Sequence, residues 1–397
     1  MSYLLIATLF LIPTYVIRFT ILGVPLNVLM VWVFFLELFF FATLVKSNRL
    51  VEFWLSLKNN NKFFLIFFSA FLLSGTLALF IGGFSKDKLG QYIVLFLEPM
   101  SLYFIVRFLY KHTINAKEVF LRAVIMFVGL CGLYAILQYF TLFGLPHLYM
   151  GNSIEPKRAL SFFEYPNAYA LFIAPLLAFA FPKIMGLLED FNFENIKYRL
   201  YPILAWSVGL VGLILSLSRG GWLGFGFSAA VGVLLLGSKK VKKFAGIAII
   251  IIIVVSFSVP VIKYRLILPF LGEKSAVSRV SLASTAVLMI EDSPVLGKGL
   301  LGYDTNFEKY NTDPGLQHYK YPHNFFLTLW VEVGVLGLLS FIGILMFGLF
   351  LSYKRRDTIF TAGVFLFLLA LVLHGVVDVP YFKNDLALLF WIVFAIL

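Results

Sequence analysis

An arginine beside two glycines, at a break between apolar runs, is the first feature of this sequence suited to chemistry. Arg219 stands in the run SLSRGGW, residues 216–222, next to Gly220 and Gly221. A guanidinium stays charged at any pH and binds phosphate through two parallel hydrogen bonds. Backbone amides at the glycines can face the same anion, so the run predicts a phosphate-binding turn. A plain turn with an arginine that snorkels to a membrane surface is the alternative interpretation.

A second arginine, Arg279, lies in the segment 275–290, where apolar side chains recur near a helical period and Pro294 follows. This pattern predicts a helix with Arg279 in its first turns. An anion-binding role and a structural ion pair are equally open for this arginine. The next run, GKGLLG at 297–302, formally matches the dinucleotide-binding pattern. No strand precedes it, so its glycines are interpreted as turns after the helix.

His323 is the residue best placed to act as a base. It follows Pro322 and precedes Asn324, which is expected to cap the helix that begins there. A neutral imidazole at this point can accept a proton from an attacking hydroxyl. The alternative is a histidine that only hydrogen-bonds the loop. His374 and Asp378 are four residues apart near another helix end, so they could share one helix face in a supporting role; Pro380 makes a broken helix end the alternative.

Further polar positions stand out in apolar surroundings. Arg158 and Asn167 bracket a polar segment, whereas Glu37 and Glu98 lie inside apolar runs. Carboxylates inside such runs indicate a proton path or an ion site by default, and pairing with a buried basic or hydroxyl group is the alternative. The sequence has no cluster of His, Cys, Asp and Glu at metal-ligand spacing and no Walker-type loop, so neither a metal nor a nucleotide cofactor is expected.

The elements that position these residues must be membrane-spanning helices. Of the 397 residues, 61% are hydrophobic and 13% are charged, whereas about a quarter are charged in a soluble domain. Too few polar side chains remain to cover a surface in water, but lipid solvates an apolar exterior. The single cysteine, Cys131, excludes an internal disulfide, so loops must be held by packing. The N-terminus has no basic n-region, which favours a first span over a cleaved signal.

Twelve apolar segments approach the length of about 20 residues that a spanning helix needs. They lie near 3–21, 24–45, 63–83, 90–110, 118–143, 166–187, 200–217, 221–237, 244–262, 323–352, 358–376 and 384–397. The predicted fold class is therefore an all-α polytopic membrane protein with about twelve transmembrane helices. It is predicted to form a single integral membrane domain over 1–397, with a long, partly helical periplasmic loop at 263–322.

The distribution of Lys and Arg predicts the orientation of the chain. One set of short loops carries 18 of these residues, the opposite set carries 7, and the long loop carries 7. Because basic residues concentrate in short cytoplasmic loops, the first set and both termini are predicted to be cytoplasmic. The same topology explains the net charge of +12, so nucleic acid is not an expected partner. The polar segments with the candidate residues then lie on the outer face, where cytoplasmic nucleotides are poor substrates.

Taken in order, these motifs resemble the bacterial O-antigen ligase and polymerase superfamily. The resemblance runs from about Arg158 to the C-terminus, and the first 140 residues match only as a set of spans. It rests on the run around Arg219, the segment from Arg279 to Gly302, the run PHN at 322–324 followed by EVGVLG at 332–337, and His374 with Asp378. The resemblance implies an all-helical membrane glycosyltransferase of the GT-C type in the bacterial inner membrane, with its active site facing the periplasm.

Enzymes of this superfamily transfer a glycan from undecaprenyl diphosphate to an acceptor, and the resemblance implies that no metal or nucleotide takes part. The acceptor is the lipid A–core oligosaccharide for ligases and a second lipid-linked repeat for polymerases. The essential basic residues of the family correspond to Arg219, Arg279 and His323, with Arg158 as a weaker correspondence. The arginines are then expected to bind the donor diphosphate, and His323 to act on the acceptor hydroxyl with inversion at the anomeric carbon.

Other functions remain open at this stage. A polymerase shares the ligase motifs, and transfer to a protein acceptor is a third version of the same chemistry. A secondary transporter or flippase, with Glu37 and Glu98 coupled to protons, comes from a different class. Transporters often show inverted repeats and interrupted spans in matching halves. The sequence shows no such symmetry, and its polar residues gather toward one face, so the enzyme is favoured.

Overall fold

The chain is helical almost throughout, as its composition predicts. The structure is a computed structural model that describes residues 2–58, 61–152, 156–189, 196–267 and 274–397. Helices account for 76% of it, with almost no strands. A backbone in lipid can satisfy its polar groups only within helices or closed barrels. The prediction of an all-α protein is confirmed.

The helices of the described residues are numbered here in chain order. They are α1 (Ser2–Leu11), α2 (Val28–Lys46), α3 (Leu50–Lys58), α4 (Lys62–Phe80), α5 (Lys86–Tyr92), α6 (Glu98–His112), α7 (Ala116–Thr141), α8 (Pro166–Glu189), α9 (Ile196–Leu215), α10 (Arg219–Leu236), α11 (Lys239–Ser258), α12 (Pro260–Ile267), α13 (Lys274–Asp292), α14 (Gly302–Tyr310), α15 (Phe325–Lys354), α16 (Ile359–Gly375) and α17 (Asn384–Phe394). A π-helical turn at Ile93–Leu97 joins α5 to α6, and 3₁₀ turns lie at Ile12–Val16 and His147–Tyr149.

Seven helical segments within the described residues are long and apolar enough to cross a membrane. They are α2, α4, the continuous segment Lys86–His112, α7, α8, α10 and α15, and each coincides with a predicted span. Four other predicted spans coincide with shorter apolar segments, at Tyr3–Val16, Arg199–Leu215, α16 and α17. The remaining predicted span, 244–262, overlaps α11. The polytopic membrane architecture is thus confirmed, while the number of twelve spans stays a prediction.

The first predicted span, 3–21, is wrong in its second half. The α-helix ends at Leu11 and is followed by a 3₁₀ turn, Ile12–Val16, because Pro13 cannot donate an α-helical hydrogen bond. Strands β1 (Arg18–Ile21) and β2 (Val24–Asn27) then pair antiparallel. The two residues between them, Leu22 and Gly23, have φ of 53° and 79°, as in the type I′ turn that suits tight hairpins. The apolar character of both strands concealed the hairpin in the sequence.

The described chain folds as two compact units. The first comprises residues 1–120, 277–351 and 375–397, and the second comprises 121–276 and 352–374. In the second unit, α8 is buried along most of its length and packs against α9 and α10. A hydrogen bond of 3.0 Å from Trp206 Nε1 to the carbonyl oxygen of Leu177 joins α9 to α8. The prediction of one integral membrane domain over 1–397 stays a prediction.

The predicted long loop, 263–322, contains the end of α12 together with α13 and α14; residues 268–273 lie outside the described part of the chain. Helix α13 confirms the helix predicted over 275–290. Its apolar stripe joins α14 and α15 in a buried cluster in the first unit. The cluster comprises Leu282, Ala286, Met289, Ile290, Tyr303, Phe307, Leu316 and Val331. This packing fixes α13 and α14 against the beginning of α15.

Candidate active site

A histidine–carboxylate pair lies at the beginning of α15 in the first unit. His323 Nδ1 is 3.1 Å from Asp378 Oδ1. The side chain of Asp378 is buried, at 7% exposure, whereas that of His323 is 25% exposed. Asp378 Oδ1 also accepts a hydrogen bond of 2.9 Å from the amide of Val379. The pair therefore has a fixed carboxylate on one side and an accessible imidazole on the other.

This pairing decides which ring nitrogen of His323 can work as a base. An ionised carboxylate only accepts hydrogen bonds, so it holds the proton of a neutral imidazole on Nδ1. The lone pair of Nε2 is then directed away from Asp378. A proton taken up at Nε2 produces an imidazolium that the carboxylate stabilises. The geometry is that of a general base with its orienting acid.

Asn324 fixes the backbone around His323. Its Oδ1 accepts a hydrogen bond of 3.0 Å from the amide of Leu327, which confirms the predicted N-cap of α15. Its Nδ2 donates to the carbonyl oxygen of Val376 at 3.0 Å and so ties this cap to the segment that carries Asp378. His323 itself has φ of 50°, a left-handed conformation that non-glycine residues adopt at a cost.

Of the two interpretations of the segment from His374 to Asp378, the structure shows the broken helix end and not a shared helix face. Helix α16 ends at Gly375, so Asp378 lies in the turn beyond it. The turn precedes Pro380, which cannot donate the backbone hydrogen bond that a continuing helix requires. Asp378 consequently pairs with His323 in the first unit, whereas His374 lies in the second unit.

Arg279 lies in the first turns of α13, as the sequence predicts. It precedes Leu282, Ala286 and Met289 at helical spacing, so it continues the stripe that packs against α14 and α15. Its side chain is partly buried. The packing therefore sets the position of the Arg279 backbone within the first unit, the same unit as His323.

Glu332 anchors this arrangement, a role that the sequence analysis missed. The residue is fully buried in α15, and its Oε1 accepts a hydrogen bond of 3.1 Å from the amide of Tyr303 in the first turn of α14. A carboxylate at a helix N-terminus satisfies backbone donors that the helix leaves unpaired. A charged residue within an apolar span is the sequence signal that could have identified it.

The glycines at 297–302 make turns after α13, as predicted, and they explain how the loop passes so close to α15. Gly297 has φ of 70°, and a side chain there would lie 2.5 Å from the carbonyl oxygen of Val331. The amide of Lys298 donates to that same oxygen at 2.6 Å. On the facing side, Gly334 of α15 has a non-helical backbone with φ of 70°. This break in α15 was not predicted from the sequence.

The end of α13 carries a polar cluster on the first unit. Asp292 is bound by the ammonium group of Lys298 and by the hydroxyl of Tyr310, which donates at 2.5 Å. These two hydrogen bonds lower the pKa of the Asp292 carboxyl to about 2, with the hydrogen bond from Lys298 as the larger cause. Asp292 is therefore ionised at neutral pH, and the cluster ties the end of α13 to α14.

In the second unit, Arg219 is the first residue of α10 and is partly buried. Ser218 before it has an extended backbone and provides no side-chain cap. The amide of Trp222 bonds to the carbonyl oxygen of Ser218 at 3.0 Å, so the amides of Gly220 and Gly221 have no intrahelical acceptor. The guanidinium and the positive end of the helix together form a local environment that favours an anion.

The two glycines of the run also let α10 approach its neighbours. A side chain at Gly221 would lie 2.9 Å from Ala170 Cβ in α8, and one at Gly224 would lie 2.8 Å from the carbonyl oxygen of Ala370 in α16. His374 is 1% exposed and packs against both glycines. It therefore supports the position of the Arg219 helix within the second unit.

Arg158 is part of the same unit and touches the same run. Its Nε donates to the carbonyl oxygen of Ser216 at 3.0 Å, and its Nη2 donates to Asn167 Oδ1 at 2.7 Å. These contacts join the two residues that bracket the polar segment in the sequence. Part of the guanidinium is thereby committed to holding the turn that precedes Arg219.

Residues 204–342 match the family model described as O-antigen ligase. The match shows that this segment of the chain is similar to the O-antigen ligase superfamily. The predicted resemblance is therefore confirmed. No curated protein matches the chain. The O-antigen ligase match contains Arg219, Arg279 and His323, whereas Arg158 and the segment beyond α15 lie outside it.

Members of that family are membrane glycosyltransferase-like enzymes, the ligases and polymerases of bacteria, and the match indicates an enzyme of this kind. Lipid-linked glycans and membrane lipids are the substrates and surroundings that this family implies. In the part of the chain that the structure describes, no group of three or more His, Cys, Asp or Glu side chains could hold a metal ion. The chemistry of the site is argued below from its own side chains.

Proposed function

We propose that this O-antigen ligase homologue transfers a glycan from undecaprenyl diphosphate to a hydroxyl of lipid A–core oligosaccharide, at the periplasmic face of the bacterial inner membrane. The observation that carries the proposal is the His323–Asp378 pair, at 3.1 Å, at the beginning of α15. His323 lies within the segment that matches the O-antigen ligase family. The placement of basic residues supports cytoplasmic termini and a periplasmic site.

The reaction exchanges one bond at the anomeric carbon for another. The acceptor oxygen attacks that carbon, the bond from the carbon to the diphosphate oxygen breaks, and the configuration inverts. The proton of the acceptor hydroxyl passes to Nε2 of His323, while Asp378 stabilises the imidazolium that results. The electron pair of the broken bond leaves with the diphosphate as negative charge. General-base catalysis of this kind contributes roughly 10²- to 10⁴-fold to the rate.

The arginines would bind the diphosphate and neutralise the charge that develops on it. Arg219 offers a guanidinium beside helix amides, which supports a role in binding phosphate oxygens. Arg279 would supply a second guanidinium, and its helix is held by the α13–α15 packing. The contacts of Arg158 support a role in shaping the Arg219 turn, next to the donor. His374 and Asp378 support α10 and His323 respectively.

The test uses the purified protein in vesicles, supplied with undecaprenyl-diphosphate-linked glycan and lipid A–core. Arg219→Ala and Arg279→Ala are expected to abolish transfer, because a charged hydrogen bond to the departing diphosphate is lost. Arg356→Ala is the matched control, since that arginine stacks on Tyr353 outside the family-matched segment. Near-normal transfer by either of the first two variants, with an unchanged size-exclusion profile, would reject the assignment.

The same assay separates a ligase from a polymerase, because both reactions use the same donor and the same base. A ligase requires lipid A–core for turnover and yields a glycan-bearing core. Longer lipid-linked glycans without that acceptor would instead identify a polymerase that uses a second lipid-linked repeat.

A further inference from the structure

Two adjoining cavities flank the short helix α3 in the first unit. One, of about 230 Å³, lies between α3 and the ends of α6 and α7. The other, of about 540 Å³, lies between α3 and α2. Leu57 of α3 lines both. None of the residues proposed for glycan transfer lines either cavity, so the cavities are expected to bind something other than the glycan substrates.

The smaller cavity is basic. Arg107 and Lys111 of α6 and Lys117 of α7 line it. No Asp or Glu is among the described residues that line this cavity. The guanidinium carbon of Arg107 lies 6.0 Å from the ring centroid of Tyr103, and Lys117 Nζ donates to the carbonyl oxygen of Ile396 at 2.8 Å. Three cationic side chains around one small space attract an anion.

Glu52, the acidic residue of α3, forms its hydrogen bonds with residues that do not line this cavity. Glu52 accepts hydrogen bonds from Arg49 at 2.6 and 3.1 Å and lies 2.9 Å from His112 Nδ1. The hydrogen bonds from Arg49 lower the pKa of Glu52, with smaller contributions from His112 and Lys111. Glu52 is therefore ionised at neutral pH, and its charge is balanced by Arg49. Arg49 and His112, which are not among the residues that line the cavity, are therefore the close partners of Glu52.

The larger cavity is apolar. Its lining residues, Phe41 of α2 and Leu50, Val51, Phe53, Trp54 and Leu57 of α3, carry no polar side-chain atom except the indole nitrogen. Val51 is 70% exposed and Trp54 is 60% exposed. Exposed apolar surface of this kind is favourable against hydrocarbon, and Trp is typical of the membrane–water boundary. An acyl chain matches such a groove.

We propose that α3 is the binding site of an anionic phospholipid, with its headgroup phosphate between Arg107 and Lys111 and an acyl chain in the groove beside Trp54. One molecule joins a phosphate to an apolar chain, as the two cavities are joined at Leu57. Basic pockets between spanning helices on the cytoplasmic side recognise lipid headgroups in this way. The basic loops predict that this end of the helices is cytoplasmic, opposite the proposed glycan-transfer site.

Quenching of Trp54 fluorescence by brominated lipids tests the proposal. The protein is reconstituted in phosphatidylcholine vesicles that contain an equal fraction of either brominated phosphatidylglycerol or brominated phosphatidylcholine. The Trp54 signal is the difference between the native protein and Trp54→Phe, since the chain has 6 Trp. We expect a preference of at least about five-fold for phosphatidylglycerol. That factor equals about 1 kcal/mol, the contribution of one basic residue near an anionic headgroup.

The double variant Arg107→Gln/Lys111→Gln is expected to lower this preference to about one. Lys242→Gln/Lys243→Gln is the matched control, because it removes the same charge from exposed positions of α11 and is expected to leave the preference unchanged. Equal quenching by the two lipids in the native protein would overturn the proposal, and this measurement does not depend on any variant folding.

Discussion

Replacing Asp378 with Asn tests the proposed base most directly, because it removes a charge and little else. The Asn side chain keeps an oxygen that can accept the hydrogen bond of 2.9 Å from the Val379 amide, so the turn is expected to keep its shape. The hydrogen bond of 3.1 Å to His323 loses its ionised acceptor, however. A charged hydrogen bond contributes about 1.5–3 kcal/mol, and each 1.36 kcal/mol in the barrier changes a rate about tenfold.

We therefore expect Asp378→Asn to lower the rate of glycan transfer by about 10- to 150-fold, with KM for the lipid-linked donor unchanged. The assay measures initial rates in vesicles with donor and lipid A–core, after size-exclusion has confirmed folding. His323→Gln removes the base altogether and is expected to cost roughly 10²- to 10⁴-fold. Since Asp378 acts through His323, the double variant should be no slower than His323→Gln alone.

A matched control exists on the same unit, where His318 Nε2 lies 2.7 Å from Asp304 Oδ1 in an exposed pair. Asp304→Asn removes the same kind of contact and is expected to leave the rate unchanged. The reasoning is refuted if Asp378→Asn transfers at the native rate. It is also refuted if the losses of the two single variants multiply in the double variant, because the carboxylate would then act independently of the imidazole.

Two further predictions concern the packing that positions the site. Glu332→Ala leaves the amide of Tyr303 buried without its acceptor, so the protein is expected to be destabilised by about 1.5–3 kcal/mol, seen as a lower Tm in detergent; an unchanged Tm would show that water replaces the carboxylate. Gly224→Leu forces a side chain into a space where α16 already lies 2.8 Å away, and overpacking of this kind costs about 1–3 kcal/mol. Gly226→Leu is its control, since nothing lies within 4 Å of a side chain there, and equal Tm values for the two variants would contradict the packing.

The sequence predicted the elements better than their contacts. Apolar runs of about 20 residues identify helices in lipid because the bilayer permits few other structures, and seven of the predicted spans became long helices. The prediction of spans from hydropathy was wrong at β1 and β2, because a short hairpin rich in apolar residues is as hydrophobic as the end of a helix. It also missed the break at Gly334, because a glycine inside an apolar run gives no sign of its φ.

The sequence predicted the individual residues of the candidate site but not which of them contact each other. Arg219 and Arg279 stand out as candidates in the sequence because a permanent charge in apolar surroundings is energetically costly and is therefore seldom present without a role. The spacing of four residues suggested that Asp378 shares a helix face with His374, although Pro380 also allowed a broken helix end. The contact of Asp378 with His323, 55 residues away, depends on where α16 ends and on how the following turn folds. Neither can be derived from local periodicity, since the decisive hydrogen bonds join distant segments.

Asn324 links the helix cap of α15 to the segment that carries Asp378, and two substitutions separate these roles. Asn324→Asp keeps an oxygen for the Leu327 amide but cannot donate to the carbonyl oxygen of Val376. It is therefore expected to retain the helix cap and to loosen the segment that carries Asp378. Asn324→Ala loses both contacts, and loss of the cap costs about 1 kcal/mol. If the link to Val376 orients the base, Asn324→Asp lowers the transfer rate while its Tm stays near the native value. A native rate in Asn324→Asp, with a loss only in Asn324→Ala, would mean that the cap alone matters and that Asp378 reaches His323 without this link.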